Sequence, residues 1–169
     1  ARAESDVTIE ADIDDEPDAL NLPVRSVTAT VTDIVDLTPT IKGVYARVDG
    51  PDGLPFQAGQ YVNVQLPDGS GHRPFSFANA PSRSHEIELD VRLVPGGVAT
   101  TWIHERLVVG DRLELTGPYG RFHVRRSAEL PLLFLAGGSG LSSPRSMILD
   151  LLEGGCRLPI TLVHGARTA

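Results

Sequence analysis

Residues 60–79 read QYVNVQLPDGSGHRPFSFAN: two alternating runs, 60–66 and 73–79, held apart by Pro-Asp-Gly-Ser-Gly at 67–71. Alternation with a period of two marks a β-strand, and Pro, Asp and Gly are the residues that reverse a chain. The stretch is therefore two strands divided by a turn. Its second arm carries Arg73, Pro74, Phe75 and Ser76 in a row. A strand sends alternate side chains to opposite faces, so Arg73 and Phe75 share one side and Pro74 and Ser76 the other. Twist at a strand end lets Arg73, Phe75 and Ser76 converge on one planar, phosphate-bearing ligand. The same residues also suit a solvated arginine beside a core phenylalanine, so the neighbouring sequence has to decide.

Working outward, strands are predicted over 24–33, 40–48, 60–66, 73–79, 86–94 and 112–116, divided by Pro/Gly/Asp turns such as 49–53 and 67–71. Ile87, Leu89, Val91 and Leu93 alternate with polar neighbours. Six short strands at near-regular spacing predict a closed antiparallel barrel. A helix over 98–107 interrupts them, entered through Gly96-Gly97. After Arg126 the pattern changes. Residues 132–136 form a continuous apolar run, as expected of a strand buried on both faces of a parallel sheet. Gly137-Gly138-Ser139-Gly140 follows, then a helix over 144–153 closed by Gly154-Gly155, then a second buried strand over 160–163. The fold class is thus mainly β plus α/β: a six-stranded antiparallel barrel followed by the strand–helix–strand start of a parallel sheet. A parallel sheet needs more layers than that to cover its faces, so the α/β part reads as truncated. The divisions expected are 1–22, an acidic lead-in with one short strand at 6–10; 23–126, the barrel; and 127–169, the incomplete α/β part.

Charge is unevenly placed. The net charge is -7 over 169 residues. Residues 1–20 hold eight acids against the single base Arg2, so the body of the chain is neutral. That argues against nucleic acid as a partner, which would require a basic stripe. The hydrophobic content of 41% supports a packed core, and no window approaches the roughly 20 apolar residues of a membrane span. The lone Cys156 excludes a disulfide framework and a four-thiolate cluster within the chain. A reducing, cytoplasmic setting is expected. His72, His85, His104, His123 and His164 show no metal-ligand spacing, and no metal site is expected.

Two glycine motifs carry further chemistry. Gly96-Gly97-Val98-Ala99-Thr100 opens a helix, and helix N-termini offer unpaired N–H groups to phosphate. Thr100 either caps that helix or gives its hydroxyl to a phosphate oxygen. Ala136 to Pro144 has the strand–glycine loop–helix context of a phosphate cradle. There Ser142 or Ser143 serves as N-cap and Pro144 fits the first turn. It is neither the six-residue dinucleotide fingerprint nor a P-loop. Ser76 lacks the Gly-x-Ser-x-Gly frame of a hydrolase nucleophile. Trp102 reads as core, and Gly117-Pro118-Tyr119-Gly120 as a turn.

With the three motifs in this order, residues 23–169 resemble the ferredoxin–NADP reductase superfamily of flavoproteins. The resemblance implies an FAD site in which Arg73 binds the pyrophosphate, Phe75 packs on the isoalloxazine and Ser76 approaches its N5 as the catalytic group. Pro74, Val91 and Leu93 line that site by the same likeness, and Gly96, Gly97, Val98, Ala99 and Thr100 hold the pyrophosphate. It implies an NAD site at Gly137, Gly138, Ser139, Gly140, Leu141 and Pro144, with Arg167 near the adenosine ribose. The wording of residues 137–148, GGSGLSSPRSMI, is similar to that of reductase components of phenol hydroxylase-type bacterial multicomponent monooxygenases.

Those reductases begin with a plant-type [2Fe–2S] ferredoxin domain, and residues 5–11 look like its tail. Two features depart from the family: the cluster cysteines and the terminal segment near the flavin are both missing here. The chain therefore reads as a piece cut at both ends. The implied activity is electron transfer from NADH to FAD and on to a [2Fe–2S] centre, with NADH and a ferredoxin domain or oxygenase component as partners and no membrane. The alternatives are a reductase of another branch of the superfamily, or a flavin- or nucleotide-binding module without turnover.

Overall fold

The computed structural model describes residues 18–166. Six strands form one antiparallel sheet: β1 (Arg25–Thr38), β2 (Ile41–Val48), β3 (Tyr61–Gln65), β4 (His72–Ser76), β5 (Glu86–Arg92) and β6 (Arg112–Tyr119). Their order is β4-β3-β6-β1-β2-β5, and the two edges meet. Phe77, just past β4, bridges to Leu89 of β5, and the Ala78 N–H donates to the Glu88 carbonyl at 2.8 Å. Beyond that bridge a side chain takes over the ladder. Asn79 Oδ1 accepts from the Glu88 N–H at 3.0 Å, and its Nδ2 donates to the Glu86 carbonyl at 2.8 Å. The expected barrel is present, sealed by a short seam.

Alternation does what it promised inside the barrel. Ile87, Leu89 and Val91 point inward with Val44, Ala46, Val62, Val64, Leu113 and Leu115. Each buried Val, Leu or Ile contributes about 1.5–3 kcal/mol relative to exposure. Phe56 stacks on Phe77 with ring centroids 4.0 Å apart. Two strands outrun the sequence prediction. β1 continues past residue 33 to Thr38, bending through register shifts at Val31/Asp33 and Asp36/Thr38. β6 continues to Tyr119, so Gly117-Pro118-Tyr119 is strand rather than turn, pairing Gly117 with Arg25 and Tyr119 with Tyr61. The helix α1 (Val98–Glu105) closes one end of the barrel with Ile103 buried in its core.

A second, parallel pair follows: β7 (Leu132–Gly137) and β8 (Ile160–Gly165), joined by α2 (Ser142–Glu153). Phe134, Met147, Leu151 and Ala58 form its core, so α2 is wedged between this pair and the barrel. The expected burial of 132–136 on both faces is not found. Phe134 is buried, but Leu133 and Leu135 are 62% and 70% exposed, because α2 covers one face and no element among the described residues covers the other. β8 is likewise mostly exposed.

The end of the acidic lead-in is tied down. Asp18 Oδ2 accepts from the N–H and Oγ of Ser127 at 3.0 and 2.6 Å, and the Asp18 carbonyl accepts from Gln57 Nε2 at 2.6 Å. The strand expected at 6–10, the ferredoxin-like tail at 5–11 and Arg167 lie outside the described residues.

Candidate functional site

β4 presents Arg73 and Phe75 on the side of their partners Val64 and Val62, and Pro74 and Ser76 on the side of Asn63 and Tyr61. Arg73 and Pro74 are exposed, while Phe75 and Ser76 are half-buried. One N–H of Arg73 goes to the His72 carbonyl at 2.7 Å; among the described residues no carboxylate pairs with it. Phe75 rests one side against the barrel core. Ser76 stands opposite Tyr61, which stacks on Tyr119 at 5.6 Å.

The N-terminus of α1 is open. Gly97 is the N-cap and no side chain bonds the first-turn amides. Gly96 has φ +74°, a conformation that favours glycine, and a Cβ there would meet nothing within 4 Å. The helix start is therefore open on the Gly96 side, although a Cβ on Gly97 would meet Thr100 Oγ1 at 2.8 Å. Thr100 does not cap the helix. Its Oγ1 accepts from the Val94 N–H at 3.1 Å and reaches the Gly97 carbonyl at 3.3 Å, which fastens α1 to the end of β5. A cleft of about 380 Å³ runs from Gly96, Gly97 and Val98 to Leu66, Pro67 and Asp68, with Trp102 and Arg106 on its wall. Trp102 also packs on the barrel core, as expected of it.

Of the residues the resemblance assigned to the flavin, two turn their side chains away. Val91 has no exposed surface and fills the barrel core, and Ala99 is also buried. Neither side chain lines a flavin site, and Val91 offers no backbone surface either. The Val91 carbonyl lies 2.9 Å from His104 Nε2. Leu93 is half-buried and its N–H bonds the Thr40 carbonyl at 2.8 Å.

The glycine loop after β7 is a 3-10 turn, Gly138–Leu141, leading directly into α2. Gly138 has φ +52°, and neither it nor Gly140 would bring a Cβ within 4 Å of another atom. A phosphate could come close to this backbone. The expected serine cap is not found. Leu141 occupies the N-cap position, and Ser142 instead turns its Oγ to the Ser139 carbonyl at 2.9 Å. Pro144 sits in the first turn, as expected. A cleft of about 630 Å³ lies beside Gly137, Gly138, Gly165 and Ala166, walled by Leu37 to Ile41 and by Arg92.

β5 links these parts. Its last residues lead into Gly96-Gly97, Arg92 lines the Gly137 cleft, and its earlier acids meet α2. Arg145 Nη1 lies 2.7 Å from Glu88 Oε2, Tyr45 Oη donates to Glu88 Oε1 at 3.0 Å, and Ser142 Oγ lies 3.2 Å from Asp90 Oδ2. Burial, then the charge of Glu88, pushes the Asp90 carboxyl above the usual carboxylate range. Burial raises Tyr45 as well, with Glu88 adding to it. Sequence reading missed Arg92, Glu88, Asp90 and Arg145. Alternation marked Glu88 and Asp90 as facing out of the barrel, and nothing local shows that α2 lies over them.

The fit to FAD is good on these observations. An exposed guanidinium with spare donors, a half-buried ring and an uncapped helix N-terminus open on its Gly96 side suit a pyrophosphate and a flat ring system.

The family described as the oxidoreductase FAD-binding domain matches residues 28–124. The chain is 59% identical, over 96% of its length, to the phenol 2-monooxygenase reductase component DmpP of Pseudomonas sp. (strain CF600), and covers 46% of that protein. It is 54% identical, over 98% of its length, to the phenol hydroxylase P5 protein of Acinetobacter pittii (strain PHEA-2), again covering 46%. Among solved structures, a ferredoxin reductase in carbazole 1,9a-dioxygenase superposes with a TM-score of 0.79 at 29% identity, over 88% of this chain and 44% of that one. The chain spans about half the length of the curated relatives it matches. No helix among the described residues is long and apolar enough to cross a membrane.

Proposed function

The chain belongs to the oxidoreductase FAD-binding domain family, and on that premise we propose that it is the flavin-holding part of a reductase that moves electrons from NADH to a [2Fe–2S] centre serving a multicomponent monooxygenase. The observation that carries the reading is the pairing of two phosphate-compatible sites on one strand, β5: the open N-terminus of α1 at one end and the Gly138–Leu141 turn beside it. The barrel, 23–126, is the FAD unit, and 127–169 is the first part of the nicotinamide unit.

FAD, when bound, supplies two-electron acceptance from NADH and one-electron release to iron–sulfur or haem partners. The chain's own residues do the rest. Arg73 holds negative charge at the barrel rim, and the amides after Gly97 hold it at the helix start. Phe75 offers a ring edge already fixed by the core. Ser76 presents a hydroxyl that no described group takes up. Gly138 and Gly140 leave the backbone bare for a second dinucleotide.

Purified chain reconstituted with FAD should be yellow and reducible by light, and a full-length reductase carrying the chain should be bleached by NADH. A full-length protein that binds FAD, is photoreduced and yet ignores NADH would instead support the flavin-binding module without turnover.

A further inference from the structure

Glu88 and Asp90 stand two residues apart on β5, on the outward side where a strand commonly meets water. Here they do not. Glu88 is 8% exposed and Asp90 is half-buried, because α2 lies over them. Glu88 is satisfied on both oxygens: Oε2 by Arg145, which also donates to the Ala78 carbonyl at 2.6 Å, and Oε1 by Tyr45. Among the described residues Asp90 bonds the Ser142 hydroxyl alone, and that hydroxyl also faces the Ser139 carbonyl.

Ser139 belongs to the glycine turn itself. One hydroxyl proton cannot serve both acceptors fully. With a proton on Asp90 the conflict disappears: Asp90 donates to Ser142 Oγ, Ser142 donates to Ser139, and every group has a partner. The charges around Asp90 favour that state. Glu88 faces it from its own strand and burial under α2 acts the same way, whereas the Ser142 hydroxyl favours the ionised form. On β2, Tyr45 is an uncharged phenol where a carboxyl titrates, and Gly43, the register partner, brings no side chain. Arg145 on α2 opposes them but is engaged with Glu88. Arg92, the next outward residue of β5, lines the cleft at Gly137 and Gly138.

We propose that Asp90 is a positioning residue: through Ser142 it clamps the glycine turn and the start of α2 onto β5, and so fixes where a dinucleotide on the turn stands relative to a flavin on the barrel. This rests on the flavin reading above. The Ser142 link holds in either protonation state of Asp90, but ionisation adds a charge under α2 beside Glu88, so the turn is held less tightly and hydride transfer slows as pH rises through the Asp90 transition.

Asp90→Asn keeps a donor toward Ser142 and stands in for the protonated carboxyl, whereas Asp90→Ala and Ser142→Ala break the chain from either side. Two measurements test this: amide hydrogen exchange over 138–142 in this chain, and single-turnover flavin reduction at saturating NADH in a full-length reductase carrying it. Asp90→Ala and Ser142→Ala should exchange those amides faster and reduce flavin about tenfold more slowly, with NADH affinity and FAD content changed by less than about twofold. Asp90→Asn should stay near the parent in both and lose the parent's pH dependence. Amides in both broken-chain variants as protected as in the parent, or an Asp90→Asn as impaired as Asp90→Ala, would overturn the clamp. Should Asp90→Ala fail to fold, Ser142→Ala decides, since it leaves β5 untouched. A parent that takes up no FAD counts against the flavin reading alone, because the exchange measurement still judges the clamp.

Discussion

Arg73 spends one N–H on the carbonyl of His72 and otherwise faces solvent, so its loss should cost the fold little and a bound pyrophosphate much. Arg73→Ala is expected to weaken FAD by about 1.5–3 kcal/mol, roughly ten- to a hundredfold, with the apoprotein's melting temperature unchanged. Equilibrium titration beside thermal unfolding checks both halves. Ser76 differs in kind: a hydroxyl near the reacting atom orients more than it binds. Ser76→Ala should slow stopped-flow flavin reduction in a full-length reductase and leave FAD affinity near the parent's; an unchanged rate would remove Ser76 from the mechanism. Asp90 predicts a pH effect on stability. Its carboxyl is raised in the folded state by burial and by Glu88, so the folded chain holds that proton better than the unfolded one. Its contribution is therefore intact below the ordinary carboxylate value and is lost as pH climbs toward the raised one. Asp90→Asn should remove that loss, flattening the curve of melting temperature against pH over that window. Parallel curves for the two proteins would contradict the assignment.

At the scale of elements, the six barrel strands and α1 were legible because each buries one face, and one-sided burial writes itself as alternation or as an amphipathic stripe. What local pattern cannot carry is what covers a face. The 132–136 run was read as buried on both sides, yet Leu133 and Leu135 are open, since α2 has only one side to give. For the same reason alternation places Glu88 and Asp90 on the outer face of the barrel without showing that α2 covers them. The serine caps expected at 142 and 143 failed because a 3-10 turn runs straight into α2, leaving Ser142 inside the helix. The contact between α2 and the barrel depends on Gly59. It has φ +98°, and a Cβ there would sit 2.0 Å from the Phe122 carbonyl oxygen and 2.2 Å from Met147 Cε. Gly59→Ala should therefore destabilise the chain by about 2–4 kcal/mol, from backbone strain and overpacking together. Urea unfolding measures it, and a loss under about 0.5 kcal/mol would mean the two units are not packed as described.

For the molecule as a whole, the barrel has a sealed core while the parallel pair leaves Leu133, Leu135, Leu162 and Val163 exposed. The chain spans about half the length of its curated relatives, and on the proposed reading a nicotinamide would meet, among the described residues, the Gly138–Leu141 turn without the further contacts that fix a reactive pose. NADH-to-ferricyanide turnover by this chain should accordingly be far below that of a full-length reductase carrying it, although light still reduces its flavin. Equal rates would mean that the nicotinamide site is already complete within these residues. On the proposed reading the barrel holds FAD by its phosphates, through Arg73 and the open end of α1. Titration of the apoprotein with FAD and, in parallel, with riboflavin tests it most directly. FAD should bind at least about a hundredfold more tightly, since charge-assisted contacts to the pyrophosphate are worth about 1.5–3 kcal/mol each; equal affinities for the two would rule out a phosphate-held flavin.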